Sequence, residues 1–153
     1  MRVAARGSRR PMILLALCTV LVLQTIAASP ASAATFREHR MYRLVNLDRH
    51  RHGVFPLRFA AGITRFARQH SRQMAEHRTL FHHSCLDCIR RRHGWSDIGE
   101  NVGYASTVWQ LNRLFMNSAP HRANILCTCF RMAGIGVVRS RGYVWVTELF
   151  YRP

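Results

Sequence analysis

Two histidines and one glutamate are the residues of this chain best suited to chemistry. His82 ends the second helical region, Glu100 lies in a glycine-rich turn, and His121 begins a short segment near the C-terminal third. Two imidazoles and a carboxylate can hold a zinc ion and leave a coordination position open. Because 18 and 21 positions separate the three residues, only the tertiary fold can bring them together. Five other histidines are interpreted as surface or satisfied core residues: His39, His50, His52, His77 and His93.

The first 33 residues are predicted to be a secretory signal peptide. Four arginines precede an almost unbroken apolar run over residues 12–28, and the small residues 31–33 follow it. This order matches the charged, apolar and cleavage regions of an export signal. An uncleaved membrane anchor is the alternative, because the run of 17 residues approaches the length of about 20 that a spanning helix needs. We favour cleavage after Ala33, which predicts a secreted domain over residues 34–153.

The cysteines are predicted to form two disulfides. The signal carries Cys18, and the domain keeps four others: Cys85, Cys88, Cys127 and Cys129. An even number of cysteines in an oxidising compartment favours disulfides. A four-thiolate zinc site is the alternative, although the second pair is spaced one residue closer than usual for zinc. Since a bridge inside Cys127-x-Cys129 would be strained, we expect both bridges to cross between the pairs and to contribute about 2–4 kcal/mol each.

All of the positive charge comes from arginine. Of 153 residues, 23 are Arg and none is Lys; with 7 acidic residues the net charge is +16, and it falls to +12 without the signal. Exclusive use of arginine is typical of a GC-rich genome, but the charge still favours anionic surfaces. The run at residues 90–93 is interpreted as a solvated loop. The sequence has no P-loop, dinucleotide fingerprint, Gly-x-Ser-x-Gly elbow or nucleic-acid recognition helix, so nucleotide enzymes and specific nucleic-acid binding are not expected.

Apolar spacing predicts one α/β domain. Steps of three and four indicate helices over about 35–52 and 59–78, a third helix capped by Ser106 or Thr107, and a short one starting near Pro120. Two strands, 134–139 and 143–150, are predicted to form a hairpin. Residues 82–105 carry three glycines, and we predict a long irregular stretch there.

Several short segments keep a recognisable order and spacing over nearly all of residues 34–153. They include LVNLDR (44–49), ARQHS (67–71), LFH (80–82), GENV (99–102), FMNSAPHRANIL (115–126), GIGVV (134–138) and YVWVT (143–147). Together they resemble the CAP superfamily, which comprises cysteine-rich secretory proteins, antigen 5 and plant pathogenesis-related proteins, in its short bacterial SCP-like form. The resemblance implies a three-layer α–β–α sandwich with a central antiparallel sheet.

The resemblance also implies a shallow cavity lined by two histidines and two acids, where some members bind a divalent cation. Carried over by position, His82 and His121 are the histidines and Glu100 is the first acid. Ser118 lies where many relatives have the second acid. The cavity set is therefore His82, Glu100, Ser118 and His121, with Zn²⁺ or another divalent cation on the histidines and Glu100.

The missing second acid favours a binding protein over an enzyme. The leading hypothesis is a secreted, non-enzymatic module that binds a lipid, peptide or cell-envelope ligand through this cavity. The alternative is a secreted zinc-dependent hydrolase in which Glu100 activates zinc-bound water; Glu148 or Glu76 would then replace the missing acid. A third hypothesis is attachment to anionic polymers by charge alone. No stable membrane span is expected after signal cleavage.

Overall fold

The computed structural model describes residues 34–153, so the predicted signal peptide lies outside the described residues. Within this range the chain forms α1 (Phe36–Arg51), β1 (Arg58–Phe59), α2 (Ala61–His77), α3 (Leu86–His93), β2 (Asp97–Ala105), α4 (Val108–Asn117), α5 (Ala119–Leu126), β3 (Met132–Ser140) and β4 (Tyr143–Arg152). No helix in residues 34–153 combines the length and the apolar character needed to cross a membrane.

Local signals account for most of the helices. Thr35 caps α1 in a capping box with Glu38, in which each side chain satisfies a free backbone N–H group of the first turn. The Thr107 side chain accepts a hydrogen bond from the Gln110 N–H and caps α4, as predicted. Pro120 lies in the first turn of α5, where its missing N–H costs nothing.

The four strands form one sheet in the order β1-β3-β4-β2. β4 is its centre and pairs antiparallel with both β3 and β2. The predicted hairpin is confirmed, with Arg141 and Gly142 between the paired residues Ser140 and Tyr143. β1 adds a two-residue parallel edge beside β3. The antiparallel sheet implied by the resemblance is therefore present, with a short parallel extension.

Helices cover both faces of the sheet, which gives the expected three layers. On one face α2 lies directly against β3: a Cβ atom on Gly136 would be 2.1 Å from the Arg68 nitrogen. On the other face α1, α4 and α5 pack over the main core, whose members include Met41, Val45, Leu111, Phe115, Ile125 and Ile135. Side chains on one face of β2 and β4 therefore lie towards α2, whereas those on the other face lie towards the main core and α1, α4 and α5.

The prediction of a long irregular stretch over residues 82–105 was wrong. Its second half is β2, so Glu100 lies in a strand and not in a turn. Glycines in this strand mark close packing: a Cβ atom on Gly103 would be 2.8 Å from the Phe115 ring, and one on Gly99 would be 2.7 Å from the Phe130 ring. In the sequence, a glycine-rich strand of this kind resembles a loop. The aromatic rings that require glycine at these positions are distant along the chain, so the sequence does not reveal the reason for the glycines.

The predicted disulfide pairing was also wrong. Cys85 pairs with Cys88 at the start of α3, and Cys127 pairs with Cys129 just after α5. A turn after α5 brings the Cα atoms of the second pair to 5.3 Å, which lies within the usual range for a disulfide. Each bridge is therefore local, and neither connects the two segments.

Candidate functional site

Glu100 is the centre of a histidine cluster on the α2 face of the sheet. Its side chain is fully buried. The His82 Nδ1 lies 2.8 Å from Oε2, which also accepts the His83 backbone N–H at 3.1 Å. The His83 Nδ1 hydrogen-bonds to Oε1. Both carboxylate oxygens therefore have imidazole partners from the segment between α2 and α3.

His70 adds a third ring to this cluster from α2. It is 3% exposed, its Nδ1 lies 3.7 Å from Glu100 Oε1, and its ring stacks on His83 with centroids 3.8 Å apart. The same Nδ1 lies 3.2 Å from the Thr147 hydroxyl. The other ring nitrogen, Nε2, is buried and has no hydrogen-bond partner in residues 34–153. Such a nitrogen is costly to leave unsatisfied, so it is a candidate ligand atom.

The pKa values in the cluster are set by burial and by the contacts among its imidazole and carboxylate groups. Burial, together with the neighbouring His83, lowers the pKa of His70 to about 4. Burial alone would raise the pKa of Glu100, but the hydrogen bonds from His83 and His82 outweigh it and hold the pKa below its usual value. At neutral pH the cluster therefore presents a carboxylate beside a neutral His70, which is the protonation state that metal binding requires.

A cation fits the arrangement of these side chains. One ligand atom from each of His70, His83 and Glu100 lies within 4.8 Å of the other two. His82 reaches the same carboxylate but its side chain is 58% exposed. Imidazole nitrogens and a carboxylate oxygen are ligands that zinc prefers, and three of them leave one tetrahedral position open.

The structure does not bring His121 into this cluster. The His121 Nδ1 lies 2.7 Å from the Ser118 Oγ, and the ring stacks on Phe115 with centroids 4.8 Å apart. Burial lowers the pKa of His121, and the charge of His82 lowers it further. The His121 ring is thus influenced by the charge of His82, but its hydrogen bond is formed with Ser118.

Neither of the two candidate replacement acids adjoins Glu100. Glu148 lies opposite Asn101 in the β2–β4 register, so its side chain is on the other face of the sheet, where it accepts a hydrogen bond from the Asn101 amide at 3.0 Å. Glu76 is exposed on α2. Glu100 is therefore the carboxylate that holds the histidines.

The family model described as "Cysteine-rich secretory protein family", also called CAP, matches residues 42–150. The chain belongs to this family. The match includes every residue of the histidine cluster.

Similar bacterial proteins share the domain but are longer. The protein YkwD of Bacillus subtilis is 28% identical over 131 residues, which cover 81% of this chain and 50% of that protein. A solved extracellular protein with an SCP domain from Bacillus anthracis has a TM-score of 0.67 at 24% identity, with 76% of this chain and 40% of that chain covered. The chain thus spans half or less of the length of these relatives.

A distantly similar solved structure shows the same fold. Venom allergen-like protein 4 of Schistosoma mansoni has a TM-score of 0.57 at 8% identity, and the alignment covers 78% of this chain and 90% of that chain. At this identity the likeness concerns the fold alone.

Sequence reasoning missed two residues of the cluster, His70 and His83. His70 was visible as a polar residue within the buried stripe of α2, between Ala67 and Met74. The only sequence signal for His83 was its position next to His82. Neighbouring residues of a non-helical segment point in different directions, so an error of one position selects the wrong ring. Here His83 is the more buried of the two rings.

Proposed function

We propose that this protein is a secreted, non-enzymatic binding module whose site is built on Glu100 and holds a divalent cation. The observation that carries the proposal is a buried carboxylate with imidazoles on both oxygens and a third imidazole beside it. Its ligand class is a lipid, a peptide or a cell-envelope component.

His70, His83 and Glu100 are the residues that would hold the cation. The buried, unpartnered Nε2 of His70 supports this assignment, because a buried ring nitrogen without a hydrogen bond is rare in folded proteins. The Nδ1 atom of the same ring lies 3.7 Å from Glu100 Oε1. Once bound, the ion supplies a Lewis-acid position for an oxygen or nitrogen atom of the ligand. His82, the exposed ring, lies at the solvent side of the cluster.

Binding is favoured over the alternative, a zinc-dependent hydrolase. A hydrolase of the predicted kind needs Glu100 as a general base. Both of its oxygens are instead engaged by histidines, and in the proposed site Glu100 ligates the cation itself, so it is not the base that activates a water molecule on that ion. Glu148 lies on the opposite face of the sheet, so it does not supply the base either.

Secretion is supported by three independent features. The N-terminal 33 residues have the composition of an export signal, and the four domain cysteines form two disulfides, which persist in oxidising compartments. In addition, the Bacillus anthracis relative is described as an extracellular protein.

Zinc titration of the secreted protein tests the cation site. We expect one ion per chain in calorimetry, and an affinity at least about a hundredfold lower in His83→Ala and in His70→Ala, because each removes a ligand. His50→Ala is the matched control, since His50 is exposed on α1, far along the chain from the cluster.

Zinc affinity that is unchanged in both cluster variants would contradict the proposed site. Hydrolysis of ester or peptide substrates that requires zinc and disappears in His83→Ala would instead favour the enzyme. Secretion is checked separately by the N-terminal sequence of the exported protein, which we expect to begin at Ala34.

A further inference from the structure

A pocket apart from the histidine cluster lies at the C-terminal end of α2, beside the β3–β4 turn. Its floor is aromatic: Tyr104 stacks on Trp145 with ring centroids 4.8 Å apart, and Tyr143 meets Tyr104 edge-on at 5.5 Å. The two tyrosines are 46% and 47% exposed, whereas Trp145 is buried. The pocket encloses about 250 Å³. It therefore offers an aromatic corner with room for one small ring.

Two arginines flank this corner. Arg78 follows the end of α2, Arg141 lies in the β3–β4 turn, and both line the pocket together with Ser140. Neither guanidinium forms an ion pair or a side-chain hydrogen bond within residues 34–153. Arginines that point at an open pocket without a partner are suited to a planar anion such as a carboxylate.

The backbone at both arginines is unusual. Arg78 has φ 54° and Arg141 has φ 50°, and they are the two non-glycine residues with positive φ in the described part of the chain. The residue that follows a helix in this conformation is usually Gly or Asn, and Asn-Gly is the preferred two-residue hairpin turn. Strained residues of this kind concentrate at functional sites, and here both line one pocket.

We propose that this pocket binds a carboxylate-bearing sugar unit of an acidic polysaccharide. The apolar face of the sugar ring packs on Tyr104 and Tyr143, and the carboxylate pairs with Arg78 and Arg141. The tyrosine hydroxyls and the Ser140 hydroxyl remain available for sugar hydroxyls. The adjoining groove carries Arg72 and Arg139 beside one acid, Glu76, so basic side chains outnumber acidic ones there.

The shape of the corner favours a sugar over a nucleic-acid base. Single-stranded nucleic acid stacks on a row of open aromatic faces. Here one face of Tyr104 is covered by Trp145, and Tyr143 stands perpendicular to it at 89°. The site is also separate from the histidine cluster, because Tyr104 lies four residues along β2 from Glu100, which is about 13 Å.

The test measures oligosaccharide affinity at physiological salt in the full secreted protein. The probes are hexamers of galacturonate and of hyaluronan, with fully methyl-esterified galacturonate hexamer as the uncharged counterpart. We expect binding of at least one acidic hexamer, and about a tenfold weaker affinity in each of Arg78→Asn, Arg141→Asn and Tyr104→Ala. In the two Asn variants we also expect the thermal midpoint to rise by about 2–4 °C, because Asn tolerates the left-handed conformation better. If an Asn variant binds the hexamer more weakly but has a higher thermal midpoint, unfolding is excluded as the cause of the weaker binding.

Arg65→Ala is the charge-matched control. Arg65 lies on α2 outside this pocket, so its variant should bind the acidic hexamers within about twofold of the parent protein. Equal losses in Arg65→Ala and Arg141→Asn would overturn the proposal in favour of general charge attraction. Binding of neither acidic hexamer, equal binding of the methyl ester, or tighter binding of a thymidine decamer would also overturn it.

Discussion

At the scale of single residues, two glutamates on adjacent strands illustrate how environment sets charge. Glu100 has imidazole donors on both oxygens, so its pKa falls although the side chain is buried. Glu148 is also buried, but its single side-chain donor is Asn101, and its Oε1 has no partner in residues 34–153. Burial, together with the nearby charge of Asp48, therefore raises the pKa of Glu148 to about 8. One acid is a carboxylate at neutral pH and the other is largely protonated.

The first prediction at this scale concerns Glu148→Gln. The pKa is about 8 in the folded protein against 4.5 as the ordinary value, so the folded state holds an extra proton between these pH values. The free energy of unfolding therefore falls as pH rises from about 4.5 to about 8. Glutamine keeps the shape and an acceptor for Asn101 without the ionisation. We expect the variant to match the parent protein at pH 5 and to be more stable by at least about 1 kcal/mol at pH 8.5.

Urea unfolding at both pH values measures this difference. Glu76→Gln, at an exposed position on α2, is the matched control for removing one carboxylate. A stability difference for Glu148→Gln that is the same at pH 5 and pH 8.5 would mean that the carboxyl is not held protonated.

At the scale of elements, the contact of α2 with β3 positions the cluster. The strand can approach the helix because Gly134 and Gly136 have no side chains: a Cβ atom on Gly136 would lie 2.2 Å from the Ala67 carbonyl carbon. Ser71 then reaches the Gly136 carbonyl oxygen, at 3.1 Å. This contact fixes α2, and with it His70, over the strand that carries Glu100.

Gly136→Ala should therefore separate the helix from the sheet. We expect a loss of about 1–3 kcal/mol in the free energy of unfolding, because the opposing atoms are backbone and cannot rotate away. We also expect weaker zinc binding, since His70 would move away from Glu100. Urea unfolding and zinc calorimetry measure the two effects.

Gly62→Ala is the control for that experiment, because the added Cβ atom at this α2 position meets nothing within 4 Å. It should raise stability by up to about 1 kcal/mol through helix propensity. Similar stability in both variants would contradict the close contact between α2 and β3.

At the scale of the whole molecule, packing and not covalent linkage joins the layers. The bridges Cys85–Cys88 and Cys127–Cys129 span three and two positions of the sequence. Such short loops remove little freedom from the unfolded chain, and the loop-entropy account gives at most about 2 kcal/mol for each. The main core between the sheet and α1, α4 and α5 consequently carries the stability of the fold.

Peptide mapping without reduction tests the pairing. Trypsin cuts after arginine, so each local bridge lies within one peptide, over residues 79–90 and 123–131. We expect each peptide at a mass about 2 Da below its reduced form. A disulfide-linked species that contains both peptides would contradict the local pairing and support bridges that cross between the two segments. Serine variants of either pair should keep the fold and lose at most about 2 kcal/mol.

The sequence by itself determined the features that depend on neighbouring residues. The periodicity of α1 and α2, a cap at Ser106 or Thr107, the start of α5 near Pro120 and the β3–β4 hairpin all depend on short segments of the chain. The same holds for the ordered motifs that resemble the CAP family, because they need only be compared along the chain. Of the two cap candidates, the structure selects Thr107.

Only the tertiary structure decided which distant residues meet. The sequence could not distinguish a glycine-rich strand from a loop, because Phe115 and Phe130 are what Gly103 and Gly99 accommodate. The sequence also did not show that His70 and His83, and not His121, lie next to Glu100. It did not determine the pairing of the cysteines either. Both depend on distances that are set when the chain folds. The physical reason is that periodicity and capping are properties of a local segment, whereas burial, pKa and ligand geometry arise only when segments pack against one another.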